Sequence, residues 1–504
     1  MKYPTAHLAE TVPDLPAVLE GTRVTTHAEL ERRIVDAARR LREAGVGPDD
    51  RVALLAPNSL EWIVIAHATT RIGAILVPVN TRLATAEILA LLEFYIPRVL
   101  LIDVQSEAAL TGESVWLDRA IYLGDPSDRT RRWWNGIPAA SENIGVDVDP
   151  ECTCTIISTS GTTGKPKGVC LSLANHVAAA EASGLNLGSG PHDRWLINLP
   201  LYHVGGLAII YRAAVSGITM VIHGRFDAQQ TVDAVERAGI THMSLVENTL
   251  LRLLDAWGER SFPPTLRCAL VGGGPVDVEL LRRARRLGLP VMPTYGLTEA
   301  ASQVATLPLD APATMLSSVG RPLPSCEVEI RDEHGKAVPP RRVDGEISIR
   351  GPMVARGYWK SRDTIEPILS DGWFATGDIG VLDAEGYLTV RGRADDMIIS
   401  GGEKIFPTEI EACLTRIPGI RRAAVVGADD PRWGRVPVAF IEILPGSRLS
   451  HVEISVTLTN TLAHCKIPKH FITLKQLPLT ASGKIDRRKL AELYRLAGFP
   501  RLRE

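Results

Sequence analysis

The chain has 504 residues, enough for two to four domains of ordinary size. It is 45% hydrophobic and 23% charged, which is typical of a globular protein and excludes a disordered one. The 56 basic and 58 acidic residues give a net charge of −2, which argues against nucleic acid or an anionic membrane as the main partner. We therefore expect any anion to bind at a local site.

The composition also bears on the cellular compartment. The most apolar segment, residues 62–79, contains His67 and Arg71 and is too interrupted for a membrane span of about 20 apolar residues. The N-terminal residues include acids and prolines where a signal peptide requires an apolar run. Seven cysteines, an odd and sparse number, argue against a disulfide framework. These features predict a cytoplasmic protein without a membrane span.

Most of the chain has the pattern of an α/β protein. After residue 50, short aliphatic runs alternate with segments of helical periodicity such as 60–72, which predicts βαβ units and largely parallel sheets. After about residue 315, short runs separated by Gly, Pro and Asp predict a small antiparallel β appendage. The predicted strands lie near residues 51–56, 74–79, 195–200, 220–223, 243–246, 268–271 and 291–294, and then near 327–331, 345–350, 381–383 and 387–390.

The pattern changes again beyond Arg393. The remaining residues, about 110 of them, are the size of a small domain and predict a compact α+β unit. Its predicted helix lies near residues 408–414, and its predicted strands lie near 423–426 and 438–443. We place the boundary near Asp395, giving an N-terminal domain of residues 1–394 and a C-terminal domain of residues 395–504.

The most informative motif is Ser158-Thr-Ser-Gly-Thr-Thr-Gly-Lys-Pro-Lys-Gly168. Its glycines let backbone N–H groups face a ligand, and its hydroxyls and lysines add donors and charge, so it predicts a phosphate-binding loop. It is not a Walker A loop, because Pro166 occupies the position of the magnesium-binding hydroxyl. A flexible surface loop has a similar composition. The candidate ligand residues are Ser158, Thr159, Ser160, Gly161, Thr162, Thr163, Gly164, Lys165 and Lys167.

The use of lysine supports this interpretation. The chain has 11 lysines against 45 arginines, and four of the lysines stand beside glycine turns, at Lys165, Lys167, Lys404 and Lys484. An ammonium group is a compact point charge that can follow a moving phosphate, whereas a guanidinium is a planar fork. Residues 466–489 are richer in lysine in general, which weakens the argument for that segment.

A second motif, Thr294-Tyr-Gly-Leu-Thr-Glu-Ala300, follows an apolar run, where a parallel sheet forms its ligand crevice. Glu299 is a candidate Mg²⁺ ligand, and Tyr295 is a candidate for stacking on a base. A tyrosine–glycine turn before a helix cap explains the same residues without any ligand.

Two further segments carry charged residues beside glycine. Asp378 follows a glycine turn and could accept both hydroxyls of a ribose. Arg393 precedes the paired acids Asp395 and Asp396 and the Gly401-Gly402 turn. Each of these segments, taken alone, equally fits an ordinary charged turn.

Together with Leu479-Thr-Ala-Ser-Gly-Lys-Ile-Asp486, these segments resemble, in order, the signature motifs of the adenylate-forming superfamily. That superfamily contains acyl-CoA synthetases, adenylation domains of peptide synthetases and luciferases. The resemblance implies a large N-terminal domain, a small mobile C-terminal domain and an active site between them. It also implies ATP, Mg²⁺ and coenzyme A as cofactors and co-substrates, with a small carboxylic acid as the remaining partner.

The resemblance implies roles for the matching positions. The Ser158–Gly168 loop would hold the β- and γ-phosphates, Thr298 would contact the α-phosphate, and Lys484 would be the catalytic lysine of adenylation. Asp395 would be the hinge, and Glu299 would bind the metal. The other implied nucleotide or coenzyme A contacts are Gly272, Gly273, Gly274, Pro275, Tyr295, Gly296, Asp378, Arg393, Gly401 and Gly402.

The chain departs from many members at two positions, with Ile399 where they have Lys and Lys404 where they have Asn. These departures put details of the thioester-forming conformation in doubt.

Three segments, at residues 199–207, 295–303 and 318–323, resemble the corresponding segments of the o-succinylbenzoate-CoA ligases of menaquinone biosynthesis. The first segment is also similar to one in short- and medium-chain acyl-CoA synthetases. Another aliphatic, dicarboxylic or aryl acid therefore remains open, as does adenylation for a carrier protein. A monomer and a homodimer are both compatible with the sequence.

An aromatic dicarboxylate needs an apolar slot and polar anchors for its second carboxylate. The candidate anchors are His203, Ser302, Gln303 and Thr306, and His203 is also a candidate catalytic residue. Ser302 and Gln303 could equally begin a helix, and His203 could gate the site without touching the substrate.

Overall fold

The computed structural model describes residues 1–110, 115–118, 120–123, 132–134, 144–160, 166–340, 343–361, 364–444, 446–447, 449–480 and 485–497. The α-helices within these ranges are α1 (Pro4–Thr11), α2 (His27–Glu43), α3 (Leu60–Arg71), α4 (Thr85–Tyr95), α5 (Val115–Asp118), α6 (Leu173–Leu187), α7 (Val204–Ser216), α8 (Ala228–Arg237), α9 (Glu247–Trp257), α10 (Val278–Arg286), α11 (Pro407–Thr415), α12 (His451–Thr459) and α13 (Arg487–Leu496).

The strands fall into four sheets. Those in the first half of the chain are β1 (Pro16–Glu20), β2 (Arg23–Thr26), β3 (Arg51–Leu55), β4 (Ile75–Pro78), β5 (Val99–Asp103), β6 (Ile121–Leu123), β7 (Arg132–Trp133), β8 (Thr153–Ser160), β9 (Pro166–Ser172), β10 (Arg194–Ile197), β11 (Thr219–Ile222) and β12 (His242–Leu245).

The strands of the second half are β13 (Cys268–Val271), β14 (Val291–Leu297), β15 (Ser302–Thr306), β16 (Arg321–Pro322), β17 (Glu327–Arg331), β18 (Ala337–Val338), β19 (Gly345–Arg350), β20 (Gly357–Ser361), β21 (Thr364–Pro367), β22 (Phe374–Leu382), β23 (Leu388–Arg393), β24 (Ile398–Ser400), β25 (Glu403–Ile405), β26 (Ile420–Asp430), β27 (Gly434–Ile443) and β28 (His470–Thr473).

The two large sheets have nine strands each and are parallel in the middle. One has the order β16-β15-β14-β13-β12-β10-β11-β1-β2, and the other has the order β21-β20-β9-β8-β4-β3-β5-β6-β7. Both become antiparallel towards an edge, through β14-β15-β16 and β1-β2 in the first and β8-β9-β20-β21 in the second. The predicted α/β class is therefore confirmed, and the parallel strands are flanked by antiparallel additions.

Local sequence explains why these elements form where they do. The side chain of Ser59 accepts a hydrogen bond from the Trp62 amide and caps α3, whose residues Leu60 and Trp62 to Arg71 are all buried. The aliphatic strands β3, β4 and β11 are buried along their whole length, as is typical of central parallel strands covered by helices on both faces. The main core thus lies among the sheets of the N-terminal region and their helices.

Two smaller sheets follow in the chain. The antiparallel sheet β18-β17-β19-β22-β23 is the predicted appendage, and it ends at Arg393. After a turn at residues 394–396, the last sheet begins with β24 and has the order β25-β24-β27-β26, with β28 beside β27. It has its own core, built around Ile410, Val425 and Ile441. None of the described helices combines the length and apolar character that crossing a membrane requires.

The C-terminal unit touches the N-terminal part beside α10. The hydroxyl of Thr415, at the end of α11, donates to Oδ2 of Asp277 at 2.6 Å. The amide of Asp277 in turn donates to the carboxylate of Glu247 at 3.0 Å. This polar contact joins the C-terminal unit to Asp277, at the start of α10.

Candidate functional site

The predicted phosphate loop connects β8 and β9, which form an antiparallel hairpin with Ser158 opposite Gly168 and Thr159 opposite Lys167. The base of this hairpin is held by the end of α4, because the hydroxyls of Tyr95 and Ser158 are hydrogen-bonded at 2.9 Å. A Cβ at Gly168 would lie 2.7 Å from the Tyr95 hydroxyl, so only glycine fits there. Outside the described residues lie the loop positions Gly161, Thr162, Thr163, Gly164 and Lys165.

The metal candidate Glu299 is held close to this hairpin. Strand β20 pairs with β9, with Tyr358 opposite Val169, and the Tyr358 hydroxyl donates to Oε1 of Glu299 at 2.8 Å. The Lys167 ammonium lies 5.0 Å from the centre of the Tyr358 ring. Burial, and then the charge of Glu299, raise the pKa of Tyr358, so its hydroxyl keeps its proton and acts as a donor.

The two predicted ribose ligands are in contact. The carboxylate of Asp378 on β22 accepts from the Tyr295 hydroxyl at 2.5 Å and from Nη1 of Arg393 at 3.1 Å. Burial and the Asp378 charge raise the pKa of Tyr295 well above its ordinary value. The pKa of Arg393 is raised by Asp378 in spite of burial, which lowers it. The charge of Arg393 also lowers the pKa of Tyr358. The contact of Tyr295, Asp378 and Arg393 is therefore close to the pair of Tyr358 and Glu299.

Glycines leave room beside these groups. Gly273 has φ +82°, which favours glycine, and a Cβ on Gly274 would meet no atom within 4 Å. Gly296 is needed for the opposite reason, because its Cβ would collide with the Ser302 carbonyl oxygen. The space beside Gly274 is therefore open, whereas a Cβ on Gly273 would lie 3.4 Å from Cγ1 of Val246. Pro275 follows these glycines, and the adenine contact of this segment stays a prediction.

The turn between β14 and β15 carries Thr298 and Glu299 on a short 3-10 helix, Thr298–Ala300. Ala301 and Ser302 follow with φ of +50° and +127°, a left-handed conformation that costs free energy in residues other than glycine. Ser302 then begins strand β15, so the alternative that Ser302 and Gln303 begin a helix is wrong. The strained turn holds the two candidate ligand residues at the end of a parallel strand.

Three of the predicted substrate anchors take part in a buried polar network. Gln303 accepts from Ser183 at 2.6 Å and from Arg212 at 2.9 Å, and its amide donates to Thr306 at 2.9 Å. Arg212 also donates to Ser302 at 3.3 Å. The fourth anchor, His203, stands at the N-terminus of α7 with its ring 4.7 Å from that of Tyr202.

Sequence reasoning missed Arg212. It lies on α7 among Ile209, Ile210, Ala213 and Ala214, all buried, and none of the described carboxylates pairs with it. Burial lowers its pKa to about 10, so it remains a cation at neutral pH. The signal was available, because an arginine inside the otherwise apolar run of α7 is an unusual residue to bury without a counter-ion.

The hinge candidate Asp395 occupies the turn between β23 and β24, where the Asp396 amide donates to the Arg393 carbonyl at 3.2 Å. Gly401 and Gly402, with φ of +58° and +90°, form the two-residue turn between β24 and β25. The two departures from the superfamily, Ile399 and Lys404, are directly opposite each other across this hairpin. Lys484 lies outside the described residues.

The residues present fit a nucleotide with magnesium. Within the part of the chain that the structure describes, no group of three or more His, Cys, Asp or Glu side chains could hold a metal by itself. Mg²⁺ usually binds through one or two carboxylates together with substrate phosphates. Glu299, beside the hairpin that carries the loop, is suited to that arrangement.

Comparison with known families gives two matches. The model described as AMP-binding enzyme matches residues 5–359, and the model described as AMP-binding enzyme C-terminal domain matches residues 409–484.

Curated relatives match along nearly the whole chain. The 2-succinylbenzoate–CoA ligase of Bacillus licheniformis is 38% identical over 483 residues, covering 96% of this chain and 98% of the relative. The corresponding ligase of Bacillus cereus is 38% identical, covering 95% and 96%.

The solved structures of o-succinylbenzoate CoA synthetase from Bacillus subtilis are also similar. The complex with the acyl-adenylate intermediate has a TM-score of 0.87 at 35% identity, covering 97% of this chain and 98% of that one. The complex with ATP and a magnesium ion has a TM-score of 0.86 at 34% identity, covering 97% and 99%. A double mutant bound to a product analogue has a TM-score of 0.72 at 35% identity, covering 97% and 98%.

Proposed function

Since the chain belongs to the AMP-binding enzyme family, we propose that it is a 2-succinylbenzoate–CoA ligase that uses ATP, Mg²⁺ and coenzyme A. The observation that carries this proposal is the contact of Asp378 with Tyr295 and Arg393 beside the Glu299 group. Glu299, the proposed metal ligand, is held by Tyr358 of the strand that pairs with the phosphate-loop hairpin, and Asp378 is the proposed ribose ligand. The full-length relatives of the same name support the choice of acid.

The reaction has two steps. A carboxylate resists nucleophiles, because it is negatively charged and would have to expel oxide. Its oxygen therefore first attacks the α-phosphorus of ATP, which forms a C–O–P bond and releases pyrophosphate. The thiol of coenzyme A, losing its proton, then attacks the acyl carbon and releases AMP, giving the thioester.

The residues of this chain would act mainly by orienting ATP and neutralising charge. Asp378 and Arg393 would bind the ribose, and Thr298 and Lys484 would stabilise the charge that builds up on the α-phosphate oxygens. Losing one such contact typically lowers a rate by about 10²–10³-fold. Mg²⁺, when bound through Glu299, would act as a Lewis acid on the phosphate oxygens.

The two steps need different access to the acyl group, which is the reason to propose a mobile C-terminal domain hinged at Asp395. Adenylation would require Lys484 at the α-phosphate, and thioester formation would require Gly401 and Gly402 beside the pantetheine arm. The difference between the TM-scores of 0.87 and 0.72, against two complexes of the Bacillus subtilis enzyme, supports such a rearrangement.

The buried cation Arg212 supports a dicarboxylate substrate. It reaches Ser302 and Gln303, two of the predicted anchors, and no described carboxylate neutralises it. Burying a charge is costly unless an opposite charge or several hydrogen bonds compensate. The second carboxylate of 2-succinylbenzoate would be such a partner, whereas a simple fatty acid has none to offer.

The test is an acid screen that follows pyrophosphate and thioester separately. With ATP, Mg²⁺ and coenzyme A, 2-succinylbenzoate should give both products faster than benzoate, hexanoate or malonate. Equal rates with these acids would contradict the proposed substrate. Pyrophosphate without thioester would instead point to transfer to a carrier protein.

We also propose a cytoplasmic location, which the seven free cysteines support, since such thiols persist in a reducing compartment. The proposed partners are the carboxylic acid, ATP and coenzyme A, and the chain is proposed to act as a monomer or a homodimer. Size-exclusion chromatography with light scattering distinguishes these two states.

A further inference from the structure

Tyr358 stands between the two charged groups that the nucleotide site needs. Its hydroxyl lies 2.8 Å from Oε1 of Glu299, and its ring faces the Lys167 ammonium at 5.0 Å. The two backbones are also linked nearby, because the amide of Ala355 donates to the Glu299 carbonyl at 2.7 Å. One side chain therefore touches both the metal candidate and the last lysine of the phosphate motif.

The strand register explains how this side chain is aimed. Tyr358 on β20 is opposite Val169 on β9, and the next residue, Trp359, is opposite Gly168. Successive residues of a strand point to opposite faces. Trp359 is buried and packs with Ile156 and Tyr95 in the core, so Tyr358 points to the other face, towards Glu299.

The hydrogen bond has a definite effect on the carboxylate. A free glutamate on a turn samples several rotamers, and ordering it costs free energy each time a metal binds. A phenol that donates to Oε1 fixes the orientation of the carboxylate. The phenol does not occupy Oε2, which can therefore face a metal. Hydrogen bonds to metal-binding carboxylates are typically worth about 10–100-fold in metal affinity or activity.

We propose that Tyr358 is a positioning residue that holds the Glu299 carboxylate for the Mg²⁺ of Mg·ATP, while its ring supports the Lys167 ammonium. The inference rests on the proposed role of Glu299 as the metal ligand. It assigns the two functions to separate parts of one side chain. The hydroxyl orients the Glu299 carboxylate, and the ring contacts the Lys167 ammonium.

The two parts can be separated by substitution. Tyr358→Phe keeps the ring and removes the hydroxyl, whereas Tyr358→Leu removes both. Tyr122→Phe is the matched control, because Tyr122 on β6 also donates to a glutamate, Glu107, at 3.3 Å, in a different part of the sheet. The thermal midpoint of each variant establishes that it is folded.

The measurement is calorimetric binding of ATP, without any acid or coenzyme A, in EDTA and over a series of Mg²⁺ concentrations. For Tyr358→Phe we expect the Mg²⁺ concentration for half-maximal enhancement of ATP binding to rise about tenfold or more. Binding in EDTA should stay within twofold of the wild type. For Tyr358→Leu we expect, in addition, that the affinity for ATP in EDTA falls about threefold, because the cation–π contact with Lys167 is missing.

Two results would overturn the inference. One is an unchanged Mg²⁺ dependence in Tyr358→Phe when Glu299→Gln has lost it, which would leave the metal role of Glu299 intact and remove Tyr358 from it. The other is an unchanged Mg²⁺ dependence in Glu299→Gln itself, which would refute the metal role and the inference together. Because no acid is present, the identity of the acyl substrate does not affect either result.

Discussion

Tyr295 and Asp378 join two sheets at the candidate nucleotide site, through a hydrogen bond of 2.5 Å from the phenol to the carboxylate. Tyr295 belongs to β14 of a nine-stranded sheet, and Asp378 belongs to β22 of the antiparallel appendage. Arg393 occupies the other carboxylate oxygen at 3.1 Å. A carboxylate has about four lone-pair positions, so both contacts can persist while ribose hydroxyls also donate to it.

Asp378→Asn should raise the KM for ATP by about 10–100-fold. An amide has a single oxygen acceptor, so its NH₂ group would face either the Tyr295 phenol or the Arg393 guanidinium, donor against donor. Hydrogen bonds to charged groups are worth about 1.5–3 kcal/mol, which corresponds to this range. Pyrophosphate release at varied ATP measures the effect. Asp344→Asn is the control, since Asp344 also accepts from an arginine, Arg391 of β23, but is exposed. An equal change there would argue against a nucleotide role for Asp378.

Lys484→Ala should abolish adenylate formation and leave thioester formation from supplied acyl-adenylate within a fewfold of the wild type. The reason is that the α-phosphorus is attacked only in the first step, whereas in the second step the thiol attacks the acyl carbon. The two half-reactions are measured separately, by pyrophosphate release and by thioester formation. Lys489→Ala, in the same lysine-rich segment, serves as the control. An equal loss in both half-reactions would contradict the two-conformation mechanism.

Arg212→Met should lower kcat/KM for 2-succinylbenzoate about 100-fold while changing that for 4-oxo-4-phenylbutanoate only a few-fold. 4-Oxo-4-phenylbutanoate lacks the carboxylate on the benzene ring, so its only carboxylate is the one that reacts and no second one pairs with Arg212. Methionine fills a similar volume, and a buried charge-assisted hydrogen bond is worth about 1.5–3 kcal/mol. Arg252→Met, at an exposed position of α9, controls for loss of positive charge. If both acids lost activity equally, Arg212 would serve the fold and not substrate selection.

Stability should fall in mild acid because of two buried histidines, His67 and His176. Burial lowers the pKa of each to about 3, against an ordinary value of 6.5. The unfolded chain therefore takes up protons below pH 6.5 while the folded chain does not, so the stabilisation is complete above 6.5 and is lost as the pH falls towards 3. Each histidine contributes a slope of up to about 1.4 kcal/mol per pH unit.

The variant His176→Gln tests this directly. Its urea midpoint, followed by tryptophan fluorescence, should vary less between pH 6.5 and 4.5 than that of the wild type. His334→Gln removes an exposed histidine and should leave the pH dependence unchanged. The same slope in all three proteins would exclude His176 as a source of the acid sensitivity.

The elements that the sequence predicts well are those specified by nearby residues. The periodicity of residues 60–72 predicts α3 to within one residue, and the run 268–271 matches β13. The pairing of β20 with β9 was not predictable, because the short run around Tyr358 contains nothing that specifies which distant strand it joins. The contacts of Arg212 with Ser302 and Gln303 were not predictable for the same reason, since they depend on how α7 packs against β15, although the position of Arg212 inside an apolar run is visible in the sequence.

The candidate site residues were predicted from sequence motifs, and periodicity predicted only the helices and strands around them. Asp378 and Arg393, each compatible with an ordinary turn, lie in contact, which one-dimensional reasoning could not establish. Gln303 and Thr306 are polar residues near the motif, and both lie buried with protein partners. Their contact with substrate therefore stays a prediction, as do the roles of His203 and the Gly401-Gly402 turn.

The pairing of β9 with β20 also matters during synthesis of the chain. Until residues 357–361 leave the ribosome, the outer edge of β9 has unpaired N–H and C=O groups, and such an edge can recruit strands from other chains. A fragment that ends before Gly357 should accordingly aggregate, although it contains the whole phosphate motif. The late strand thus covers an edge that would otherwise be open to pairing with another chain, as well as completing the sheet.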